Sequence, residues 1–187
     1  MTPRIILAGI IATTTVLAAT MAVPAAAAPF AVDSAADAAD AKPGDGECAT
    51  DGGECTLRAA VQEANALPGA DTIILTAGAY TVTLDGAGED EAATGDIDIT
   101  DDLTITGAGA NATVVDAGGL DRAFHILPKI SVEISGVTLQ DGSTSKGESG
   151  GAIFNSGGLT LSGVVITGNA ADGDGGGVWS EGLAVIS

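Results

Sequence analysis

The segment Gly150–Asn169, GGAIFNSGGLTLSGVVITGN, comes back along the chain. Gly175-Gly176-Gly177-Val178-Trp179-Ser180 echoes Gly150-Gly151-Ala152-Ile153-Phe154-Asn155 at an offset of 25 residues. Leu183-Ala184-Val185 echoes Leu159-Thr160-Leu161 at an offset of 24. Upstream, VEISGVTLQDG (Val132–Gly142) matches LTLSGVVITGN (Leu159–Asn169) at 27, and LTIT (Leu103–Thr106) precedes VEIS by 29. A self-similar period of this length marks a repeat architecture. One unit is too small to bury its own apolar face, so it must stack on its neighbours.

The interior of a repeat gives its shape. Leu159 and Leu161 alternate around Thr160, the period of two expected of a half-buried strand. Ser162-Gly163 breaks the alternation, and Val164 and Ile166 resume it. Val132, Ile134, Ser135-Gly136, Val137 and Leu139 repeat the arrangement. With the AIFN burst, each repeat holds about three short strands joined at glycine corners. The LxxLxLxxN frame of leucine-rich repeats is absent. The expected fold is all-β, a parallel β-helix. Hydrophobic residues make up 45% of the chain but aromatics only 3%, which suits a narrow core of stacked aliphatic side chains.

Arg4, the apolar run Ile5–Val23 and the small-residue segment PAAAAP read as a Sec-type signal peptide over residues 1–28, with an uncleaved anchor as the alternative. No later stretch is long and apolar enough to span a bilayer. Residues 29–47, rich in Ala and Asp, read as a disordered linker. A net charge of −19 disfavours nucleic acid and anionic membranes as partners, since both need a basic face. Export makes a Cys48–Cys55 disulfide the expected state, with two free thiols as the alternative. Leu57, Ala60, Val61, Ala64 and Leu67 fall on one face of a helix that Pro68-Gly69 stops. Such a helix can cover the first coil. Residues 48–70 are therefore read as disulfide loop and cap helix, and 71–187 as coils.

These residues carry a family resemblance. CTLRAAVQEAN (Cys55–Asn65), PGADTIIL (Pro68–Leu75) and GEDEAATGDIDITDDLTITGAG (Gly88–Gly109) resemble the bacterial CSLREA-motif family. Its members are exported proteins of right-handed parallel β-helix, pectin-lyase-like fold. The resemblance runs from Cys48 to the end. Thr56 stands where the motif has Ser, and Ala59 where it has Glu, so the Ser/Thr-x-x-Glu capping box is lost. The Gly150–Ile153 segment is also similar to repeats of chlamydial polymorphic membrane proteins. The resemblance implies a secreted or surface role and supplies no catalytic residues.

Asp90, Asp96, Asp98, Asp101 and Asp102 form the candidate calcium site, because hard oxygen ligands at that density suit the ion. The competing reading is a solvated loop, with Asp96 and Asp98 pointing outward between buried Ile97 and Ile99. His125, the only histidine, is expected to point outward. By repeat register it lines up with Phe154 and Trp179, the candidate glycan-facing aromatics. No catalytic constellation is recognisable. Asp101 and Asp102 are adjacent and so point to opposite faces of a strand, whereas paired-carboxylate catalysis aims both at one bond.

The expected function is that of an exported, non-catalytic module of a cell-surface or secreted bacterial protein, of adhesion or glycan-interaction type. Its partners would be surface glycans or other surface proteins, with calcium the one cofactor to consider. The alternative is a fragment of a polysaccharide lyase or glycoside hydrolase. Leu183–Ser187 begin a strand without a following corner or polar cap. This suggests a C-terminally truncated solenoid open to end-to-end self-association.

Overall fold

The computed structural model describes residues 29–145 and 147–187. The signal-peptide reading of residues 1–28 lies outside them.

The chain starts with β1 (Phe30–Val32), and α1 (Leu57–Ala66) follows. The strands then come in groups of three. They are β2 (Asp71–Leu75), β3 (Gly78–Thr81) and β4 (Ile97–Ile99); β5 (Leu103–Thr106), β6 (Thr113–Asp116) and β7 (Phe124–Ile126). Next come β8 (Ser131–Ser135), β9 (Thr138–Gln140) and β10 (Ile153–Asn155); then β11 (Gly158–Ser162), β12 (Val165–Thr167), β13 (Val178–Ser180) and finally β14 (Leu183–Ile186). Each strand pairs in parallel with its counterpart in the next group. This builds a β-solenoid with sheets β1-β2-β5-β8-β11-β14, β3-β6-β9-β12 and β4-β7-β10-β13.

The register explains the alternating sequence. Ile73, Ile105, Ile134 and Leu161 form one inward ladder across β2, β5, β8 and β11. Tyr80, Val115 and Leu139 form a second, and Ile97, Phe124 and Ile153 a third. All of these side chains are buried. Aliphatic side chains stacked at the spacing of adjacent strands, about 4.8 Å, fill the solenoid interior. The corners between β8 and β9 and between β11 and β12 turn at Gly136 and Gly163, with φ of 63° and 58°. A β-carbon disfavours that left-handed backbone. At Gly136 it would also stand 2.9 Å from the Gly107 carbonyl oxygen of the neighbouring coil.

Two expectations need correction. The last coil is shifted by one residue from the sequence echo: Leu159 pairs with Ala184 and Gly158 with Leu183, an offset of 25 rather than 24. Ala184 and Ile186 therefore continue the inward ladders, while Leu183 and Val185 turn to the outer face. Backbone pairing follows the β10–β13 offset set just before it. A slip of one residue reverses every side chain of a strand.

Residues 29–47 are not a disordered linker. Phe30 and Val32 are buried as β1 pairs with β2. Three of the acidic residues that suggested disorder accept from specific donors. Asp33 accepts from the Cys55 N–H, Asp37 from Arg58 and Asp40 from the Lys42 and Ala49 N–H groups. Buried Glu63 on α1 accepts from the Gly44 and Gly46 N–H groups, tying this segment to the helix.

Cys48 and Cys55 form a disulfide, with Cα atoms 5.1 Å apart. Thr56 is the N-cap of α1, and its Oγ1 accepts from the Ala59 N–H at 3.1 Å. Leu57, Ala60, Val61 and Ala64 are buried on the helix face that meets β1, β2 and β4, and Leu67 is the half-buried C-cap. No helix among the described residues is long and apolar enough to cross a membrane.

Candidate functional site

The third sheet carries the side chains of interest. On β4, Ile97 and Ile99 point into the solenoid and Asp98 points out. Register then places His125 of β7, Phe154 of β10 and Trp179 of β13 in one outer row with Asp98. The expected alignment of His125, Phe154 and Trp179 is present. Asp98 extends it, and the same comparison reveals it in the sequence: Ile97-Asp98-Ile99 stands to Phe124-His125-Ile126 as one rung to the next.

Asp98 is outward, yet it has no exposed surface, because the β3–β4 loop folds back over it. One carboxylate oxygen lies 2.9 Å from His125 Nδ1, and the other accepts from the Ala92 N–H at 3.0 Å. The loop is pinned from below by Arg58, which is fully buried. Its guanidinium donates to the Ala92 and Gly95 carbonyls at 2.9 and 2.8 Å and makes a two-pronged pair with Asp37 at 2.6 and 3.2 Å. Gln62 donates to the same Ala92 carbonyl, and Ala92 itself is held at a φ of 53°. A non-glycine residue keeps such a backbone only where its surroundings fix it. Arg58 escaped the functional reading of the sequence because the helical pattern marks only apolar faces.

Asp96, also buried, accepts from Arg122 Nη1 at 2.8 Å. Burial, then the neighbouring Asp121 and Asp98 charges, push its pKa up to about 7 against the pull of Arg122. For His125, burial favours the neutral ring. The Asp98 hydrogen bond and the charges of Asp96 and Asp98 outweigh this and raise its pKa despite Arg122. Asp90, 67% exposed, approaches the same Nδ1 at 3.5 Å.

The five carboxylates expected to hold calcium do not converge. Asp101 accepts from the Gly69 N–H and Asp102 from the Ser131 N–H, so both brace turns before their strands. Among the described residues, the group whose ligand atoms do converge is Asp90, Asp98 and His125, all within 4.8 Å of one another.

Phe154 packs edge-on against His125, with ring centroids 5.4 Å apart, and Arg122 lies 5.6 Å over the Phe154 ring. Arg122, His125, Glu148, Phe154, Trp179 and Glu181 line a shallow groove of about 400 Å³. Both aromatics are half-buried, leaving part of each ring accessible. The groove therefore pairs apolar ring faces with hydrogen-bonding groups of both charges. Compared with protein-family models, curated proteins and solved structures, the chain matches none.

Proposed function

We propose that the chain is an exported, non-catalytic glycan-binding module of a bacterial surface or secreted protein. In this reading it is a right-handed parallel β-helix of the CSLREA-motif family, α1 covers its first coil, and residues 1–28 direct its export. The supporting observation is the groove in which Phe154 and Trp179 stand on adjacent coils beside Arg122, Glu148 and Glu181. Sugar rings present C–H faces that stack on aromatic side chains and hydroxyls that need paired donors and acceptors. This groove offers both along one line. Neutral sugars carry no charge, so their recognition tolerates the acidic surface.

Trp179 is the only tryptophan, so its fluorescence reports on the groove alone. Titrating the purified chain with a panel of neutral and acidic oligosaccharides should shift or quench that emission saturably. Phe154→Ala should weaken the response by about tenfold, the equivalent of ~1.4 kcal/mol. No saturable response across the panel, or binding unchanged in Phe154→Ala, would overturn the assignment. Release of unsaturated or reducing-end products would instead favour an enzyme.

A further inference from the structure

We propose that Asp90, Asp98 and His125 form a binding site for a divalent transition-metal cation of the zinc class. This stands independently of the glycan reading. The donor set joins one imidazole nitrogen to two carboxylates, a mixture that suits zinc and its neighbours. Calcium takes oxygen ligands.

The geometry supports the same ion. In a tetrahedral zinc site with bonds of about 2.0–2.1 Å, neighbouring ligand atoms stand roughly 3.3 Å apart. Here His125 Nδ1 is 2.9 Å from the Asp98 oxygen and 3.5 Å from the Asp90 oxygen. All three ligand atoms fall within 4.8 Å of one another. Both distances to His125 Nδ1 lie within about half an ångström of that spacing.

Charge points the same way. Two carboxylates face one ring nitrogen, and that nitrogen carries at most one proton, so it satisfies only one of them by hydrogen bonding. The nearby guanidinium groups are already directed elsewhere, Arg122 at Asp96 and Arg58 at Asp37. A cation at Nδ1 in place of the proton would engage Asp90 and Asp98 together.

Supporting contacts are also present. Asp98 and His125 stand on paired strands, and the second Asp98 oxygen is fixed by the Ala92 N–H. Such outer contacts orient metal ligands. Exposed Asp90 stands on the solvent side of the group, and His125 is itself partly exposed.

The test is a calorimetric titration of the chelator-treated full chain with zinc chloride, with the imidazole resonances followed in parallel. The single histidine makes those resonances unambiguous. One equivalent of zinc should bind saturably and shift the His125 ring signals. Asp90→Asn, at an exposed position, and His125→Ala should each weaken binding roughly tenfold or more. Asp85→Asn, an exposed control, should not. Absence of saturable zinc binding would overturn the proposal. So would binding that leaves the His125 signals unmoved or survives both ligand variants, and so would a preference for calcium over zinc.

Discussion

Replacing Arg58 by Met should cost the fold about 3–5 kcal/mol at neutral pH, the usual effect of removing one partner of a buried ion pair. The guanidinium has no exposed side-chain surface, and that of Asp37 is 4% exposed. Met fills much of the same volume, so the loss is mainly electrostatic. Asp37 keeps the Thr83 and Leu84 N–H groups but loses its counter-charge. The Gly95 carbonyl loses its side-chain donor, at ~1–3 kcal/mol if nothing replaces it. The Ala92 carbonyl retains Gln62. Against a domain stability of about 5–15 kcal/mol, the variant should be marginal.

The pH dependence carries the sharper signature. In the native protein, burial alone would raise the Asp37 pKa. The Arg58 hydrogen bond, the Thr83 and Leu84 N–H groups and the Arg58 charge outweigh it and hold the pKa below 3.8. The pair's contribution is therefore complete above that value and fades as pH falls through the lowered pKa. In Arg58→Met the uncompensated carboxylate is relieved by protonation, so acid lessens its penalty. Urea unfolding followed by circular dichroism should show the widest gap between native and variant near pH 7, narrowing towards pH 4. Arg58→Met combined with Asp37→Asn, whose amide oxygen can still accept from the Thr83 and Leu84 N–H groups, should recover part of the loss. A deficit below about 1 kcal/mol at pH 7, or one unchanged with pH, would refute the reasoning.

Asp71 occupies the inward ladder of Leu103, Val132 and Leu159, buried with its Oδ2 unpartnered and its pKa raised by burial and by Asp101 and Glu63. Asp71→Leu should therefore stabilise the fold by ~1–3 kcal/mol at pH 7, less in acid, as read from the urea midpoint. Ile134→Asp, in the centre of its ladder, should abolish the cooperative β-signal. Thr160→Lys, facing Glu133 across the outer surface, should change stability by under about 0.5 kcal/mol. Reducing the Cys48–Cys55 disulfide should lower stability by about 2.5 kcal/mol on the loop-closure estimate, measured as a midpoint shift with and without reductant.

Much of the solenoid was legible because the inner ladders impose a period of two that the sequence states openly. Ile105, Ile134 and Leu161 were aligned by offset alone, and the structure pairs them so. The last coil was misaligned because Leu183 resembles Leu159 chemically, whereas backbone pairing, set by Ile153 and Val178 just upstream, carries no side-chain signature. Composition misled at residues 29–47. An Ala- and Asp-rich segment looks disordered until Asp37 is matched to Arg58, and the Gly44 and Gly46 N–H groups to Glu63, on the helix that follows in sequence. The burial of Asp98 was hidden for a related reason. Period-two alternation says which way a side chain points, but not whether the preceding loop, clamped by Arg58, will fold back to cover it.

The outer row Asp98–His125–Phe154–Trp179 spans roughly 14 Å at strand spacing and runs from a sealed carboxylate to accessible aromatics. Each rung sits between two inward residues that alone answer to the core. Connecting loops can therefore lengthen or shorten, as the unequal offsets between coils show, without moving one rung relative to the next. A single outward substitution rewrites one position on this line and leaves the stack beneath it untouched. The solenoid thus works as a ruler whose marks can be recut one at a time.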